Sequence, residues 1–106
     1  MEKVLVKNAS DKVQVEKARK IIGSRRDREI EEIKQVLSTI SGRKTLWRYM
    51  EKTGVFRTSF STSAHQMAFL EGQRNIGLMI LTDIKEADPD KYITMMLEAK
   101  EGNSKK

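Results

Sequence analysis

The chain has no cysteine, one histidine and one proline among its 106 residues. Without thiols there is no disulfide framework, no thiolate zinc site and no cysteine nucleophile. A single imidazole cannot build a histidine-rich metal centre. Aromatic residues make up only 6%, too few for a platform on which successive bases stack. No apolar run approaches the roughly 18–20 residues of a membrane span. Met1 to Lys7 contain three consecutive apolar residues and no cleavage-site pattern. No signal peptide is therefore read there, and an intracellular or particle-bound protein is expected. No glycine loop is spaced to cradle a phosphate, and there is no dinucleotide fingerprint. No internal repeat or low-complexity segment interrupts the chain.

Charge is plentiful. Charged residues make up 34% of the chain, against about 25% in an ordinary globular protein. The length allows one small domain. The net charge of +6 is carried entirely by residues 1–53, while residues 54–106 are neutral. Such asymmetry points to a polyanion or an acidic protein surface as neighbour, with a solvated helix face as the plain alternative.

The spacing of apolar residues predicts an all-α fold, a small bundle of four to five helices with an N-terminal extended arm. Residues 1–10 form the arm, because Val4-Leu5-Val6 favours extended backbone. Residues 11–40 form a basic amphipathic helical segment. Ser10 is its predicted N-cap. Gly23 ends or interrupts it, unless it lies inside one long rod, and Ser24 to Asp27 resembles a capping box. Residues 41–100 form the helical core. Ser41 is a cap candidate for a helix over 43–53 that turns Leu46, Trp47 and Met50 inward, and Gly54 closes it. Residues 55–62 form a loop whose aromatics, Phe56 and Phe60, require a hydrophobic seat. Ser63 with Gln66 reads as a capping box opening a helix to about Lys85. That helix buries a broad face that includes Phe69, Ile76 and Met79. Asp88-Pro89 opens the last helix, which buries Tyr92, Met96 and Ala99 with help from Ile93. Residues 101–106 form a disordered polar tail.

Catalysis finds little support. His65 has Ser59, Ser61 and Ser63 near it in sequence, and Glu71 lies six residues on. A triad needs an oriented base and an oxyanion site on a rigid scaffold, whereas these serines lie in a loop and at a cap. Asp83, Glu86, Asp88 and Asp90 lack the glycine-centred spacing of a calcium loop, and capping accounts for Asp88. A non-enzymatic protein without cofactor or metal is expected. The pI of about 9.7 suits non-specific phosphate contact, although Asp27, Glu29, Glu31 and Glu32 break the basic stripe.

A more specific signal runs from Gly42 to Glu98. It comprises Gly42-Arg43, Leu46-Trp47-Arg48, Gly54-Val55-Phe56-Arg57 and Ser59-Phe60. It continues through Phe69, Glu71-Gly72, Arg74-Asn75-Ile76-Gly77, Asp88-Pro89, Tyr92 and Met95. This pattern resembles a family of small tailed-phage proteins, typified by a Bordetella phage protein and often encoded near portal and capsid genes of short-tailed phages. The resemblance implies a virion protein, present in the host cytoplasm during assembly. Its expected partners are other virion proteins at a head–tail junction or inside the particle, with a homo-oligomeric ring as one arrangement. A DNA-binding or packaging accessory is the alternative. The basic first 40 residues fall outside the pattern.

Arg57, Arg74 and Asn75 are polar residues set in apolar segments. One reading is a structural network in which Glu71 pairs with Arg57 or Arg74, supported by Trp47, Phe56 and Phe60. The other is a patch for a partner, to which Val13, Arg25 and Arg26 of the basic segment also contribute. A buried arginine requires a partner, since an unpaired one costs several kcal/mol.

Overall fold

The computed structural model describes the backbone of residues 2–104 and the side chains of residues 10–102. Among these residues there are four helices and no strand: α1 (Glu2–Leu37), α2 (Ile40–Lys52), α3 (Ala64–Ala87) and α4 (Pro89–Ser104). The all-α expectation is met. The chain divides into two units, Met1–Ile30 and Glu31–Lys106.

In the first unit, two expectations are corrected. Residues 2–10 are helical, not an extended arm. A lone extended segment leaves its amides and carbonyls without a ladder, whereas a helix satisfies them within itself. The weak β preference of Val4-Leu5-Val6 does not outweigh that. Ser10 and Ser24 consequently cap nothing, because α1 runs through both. Of the two arrangements the sequence leaves open at Gly23, the structure shows the one long rod: Gly23 neither ends nor breaks α1. One glycine costs only about 1 kcal/mol in a helix interior, less than forming two new termini with their orphan backbone groups.

In the second unit α2, α3 and α4 pack against one another. Leu37, Met50, Ile84 and Met95 are fully buried, and Val55 and Ala87 nearly so. The start of α2 lies further upstream than its sequence suggests. Thr39, not Ser41, is the N-cap, and its hydroxyl accepts from the Gly42 amide at 3.0 Å. At the other end Gly54 has φ 86°, the left-handed conformation that glycine adopts without a Cβ clash. Val55 N then donates to the Met50 carbonyl at 3.0 Å, which turns the loop back under the bundle.

Ser63 caps α3 as its sequence predicts, accepting from the Gln66 amide at 3.3 Å. The reciprocal half of the box runs through a third residue. Ser61 Oγ accepts from the Ser63 amide at 3.2 Å and donates to Gln66 Oε1 at 3.0 Å. Asp88 opens α4, with Oδ1 accepting from the amides of Asp90 at 3.1 Å and Lys91 at 3.4 Å. Each cap satisfies amides that the helix cannot, so Ser63→Ala and Asp88→Ala each lower stability by about 1 kcal/mol. Thermal denaturation measures this, and an unchanged midpoint contradicts it.

The buried faces of α3 and α4 are narrower than their apolar content predicts. Phe69, Ile76 and Met79 on α3 are more than half exposed, as are Ile93 and Leu97 on α4. The inward residue of α4 is Met95, while Met96 is 40% exposed. Two short neighbours can cover only part of the 24-residue α3. The tail expected at 101–106 is also revised: residues 101–104 continue α4, and Lys105 and Lys106 lie outside the described residues.

Candidate functional site: a buried ion pair beside an apolar cavity

Arg43 occupies the first turn of α2 and is the buried charged residue of the core, 9% exposed. All three guanidinium nitrogens donate, in geometry that suits a planar fork. Nε donates to Glu98 Oε1 at 2.8 Å and Nη2 to Glu98 Oε2 at 3.0 Å. Nη1 donates to the Leu37 carbonyl at 2.8 Å. Leu37 ends α1, so its carbonyl lacks an intrahelical donor, and the negative end of the helix dipole favours a cation there. One side chain therefore ties the end of α1, the start of α2 and the last turns of α4.

The electrostatics follow from this contact. The two hydrogen bonds from Arg43 hold the Glu98 carboxyl below its ordinary range, although burial opposes them. Lys44 and Lys91 add smaller effects of the same sign. Arg43 is shifted upward, principally by its hydrogen bonds to Glu98.

One turn after Arg43, Trp47 stacks on Phe56 with centroids 4.7 Å apart and planes at 27°. It also meets Tyr92 at 6.2 Å, and Lys85 lies over the Tyr92 ring at 5.4 Å. Between α2 and α4 lies a partly open cavity of about 170 Å³. Trp47, Met95 and Ala99 form its apolar walls, with Arg43, Glu98 and Lys44 on its polar side.

The residues singled out from the sequence are placed differently. Arg57 is exposed, and its Nη2 donates to the carbonyls of Glu51 at 3.2 Å and Lys52 at 3.4 Å. It closes the C-terminus of α2 and takes no part in a network with Glu71. Glu71 and Asn75 are exposed and Arg74 is half-buried. None of the three makes a hydrogen bond or ion pair with another among the described residues. The spacing that places Glu71 and Arg74 on one helix face also turns that face partly to solvent. Trp47 stacks on Phe56, which nevertheless stays 46% exposed, and Phe60 is 71% exposed and has no seat. Val13 is 53% exposed, Arg25 is exposed and Arg26 is half-buried with a partner. His65 is exposed. No cluster of three or more His, Asp or Glu able to hold a metal occurs among the described residues.

Sequence reasoning missed both members of the pair: Arg43, which entered only through the family pattern, and Glu98. The signal at Glu98 was a carboxylate set between Met95 and Ala99, on the side of α4 that faces the bundle.

Fold and site together define a small helical domain organised around one ion pair, with an apolar cavity open beside it. Residues 33–96 match the Bbp19-like phage protein family, and the chain belongs to that family. No curated protein and no solved structure matches it. The matched span includes Arg43, Trp47 and Met95 and excludes most of α1. No helix among the described residues is long and apolar enough to cross a membrane.

Proposed function

We propose that the chain is a non-enzymatic structural component of a short-tailed phage particle that docks onto other virion proteins at the head–tail junction or inside the particle. Membership of a phage protein family over residues 33–96 carries this reading. The surface agrees with it. Val13, Ile22, Phe60, Phe69, Met79 and Leu97 are each more than half exposed and so available to neighbouring proteins. Docking joins the exposed apolar residues of α3 and α4, and the basic residues of α1, to neighbouring subunits as the particle assembles in the host cytoplasm. A ring of copies is one arrangement this permits.

A phage lacking this gene tests the proposal. Full-length protein supplied in trans restores infectious particles. Residues 31–106, which keep the family span but lose most of α1 and of its basic residues, fold yet restore fewer. Equal restoration contradicts a docking role for α1, and normal particles without the gene contradict the whole reading.

A packaging or DNA-binding role is favoured by one observation: Lys12, Lys17, Arg19, Lys20 and Arg25 are all exposed. Mobility shifts at two salt concentrations separate the readings, because phosphate binding is strongest at low salt. The docking reading predicts no shift at either.

A further inference from the structure

We propose that the cavity between α2 and α4 is a seat for one large apolar side chain carried on an acidic segment of a partner protein. The inference rests on the docking reading for its place in the phage, but its test does not.

Size comes first. The cavity measures about 170 Å³, and an apolar cavity of about 150 Å³ accommodates a benzene-sized group. Its walls are Trp47, Met95 and Ala99, a polarisable surface suited to an aromatic ring or a branched aliphatic chain. Trp47 is held from behind by Phe56, so the wall is already in place before anything binds. A seat that needs no ordering loses less on binding.

Charge selects the occupant. Both oxygens of Glu98 are taken by Arg43. That carboxylate also lies within the fields of Lys44 and Lys91. Among the side chains that line the cavity, Arg43 and Lys44 are cations and Glu98 is the one carboxylate, so one positive charge remains in excess there. Lys44 is exposed at the opening, free to meet a carboxylate on the segment that brings the anchor. Together, the apolar walls and cationic rim reward an anchor flanked by Asp or Glu and penalise one flanked by Lys or Arg.

A second copy of this chain fits less well through its 55–62 loop. There the most exposed large apolar side chain is Phe60, at 71%. Residues 55–63 around it contain no carboxylate and include Arg57. That segment would bring positive charge to a positive rim.

The chain's single tryptophan is Trp47, so its fluorescence reports the cavity directly. The probe is an acetylated, amidated pentapeptide, Asp-Glu-Phe-Glu-Asp, titrated into the full chain. Controls have alanine in place of its phenylalanine, or lysine in place of its four acids. The acidic peptide gives a saturable Trp47 response. Each control binds roughly tenfold more weakly or not at all, as expected for one lost anchor or a reversed charge pattern. Lys44→Glu reduces binding of the acidic peptide by a similar factor, with helicity by circular dichroism unchanged. Ala99→Phe fills the seat and removes the response, with helicity by circular dichroism confirming the fold.

Equal responses to acidic and basic peptides overturn the proposal, as does the absence of any saturable response. A dimer in solution that Lys44→Glu dissolves also overturns it, because the occupant is then another copy. Failure of peptide binding with particle formation intact removes this assignment alone and leaves the docking reading standing.

Discussion

Replacing Arg43 with alanine destabilises the second unit by about 3 kcal/mol, a loss of roughly 12–24 °C in melting temperature for a domain this small. Three consequences combine. Glu98, with 23% of its side chain exposed, is left as an unpaired carboxylate. The Leu37 carbonyl loses its donor at the end of α1. The bond between α2 and α4 disappears. Arg43→Lys retains the charge but cannot span both Glu98 oxygens and the carbonyl together, so it recovers only part of the loss. Chemical denaturation of the two variants measures the difference. A lysine variant as stable as the parent contradicts the fork geometry.

The same pair gives stability a pH dependence of known sign. Glu98 is held below its ordinary range in the folded chain. At neutral pH it is ionised in both folded and unfolded states, and its contribution is complete. As pH falls through the normal carboxylate range, the unfolded chain takes up the proton first. The contribution shrinks and is gone once pH drops below the folded value. Glu98→Gln removes this component. Its stability falls less steeply on acidification than that of the parent, and parallel acid limbs contradict the assignment.

The second large effect comes from one substitution at two glycines. At Gly77, α3 passes directly over Thr53 and Val55, and an added Cβ collides with Thr53 Oγ1 and Val55 Cγ2. Thr53 cannot yield freely. Its hydroxyl donates to the carbonyls of Tyr49 at 2.7 Å and Met50 at 3.1 Å, at the end of α2. Gly77→Ala therefore destabilises by about 2 kcal/mol despite alanine's better helix propensity. Gly23 has nothing within 4 Å of such a Cβ. Gly23→Ala brings the propensity gain alone, up to about 1 kcal/mol of added helix stability. Thermal melts followed by circular dichroism compare them, and shifts of the same sign contradict the packing at Gly77.

Local chemistry was legible in the sequence. Ser63, Asp88-Pro89 and Gly54 mark element ends because capping and left-handed backbone depend on a few neighbouring residues. Choices between competing local forces were harder. Gly23 could stop a helix or ride inside one, and Val4-Leu5-Val6 could extend or coil. In both cases backbone hydrogen bonding within one long helix outweighed a weak side-chain preference. The ion pair was out of reach for a different reason. Arg43 and Glu98 are 55 residues apart, and neither sequence neighbourhood says which helix faces the other. Glu71 beside Arg74 offered a closer pair at helical spacing, yet these residues lie on a face that the small bundle does not cover. The exposure of Phe60, Phe69 and Met79 has the same origin: hydrophobicity marks what is available for burial, and the number of neighbouring helices decides how much of it is buried.

Quantitative mass spectrometry of gradient-purified particles tests the central claim most directly. The docking account predicts this chain in every preparation, at a fixed ratio to the major capsid protein and retained through salt washing. A chain abundant in infected cells but absent from finished particles contradicts it.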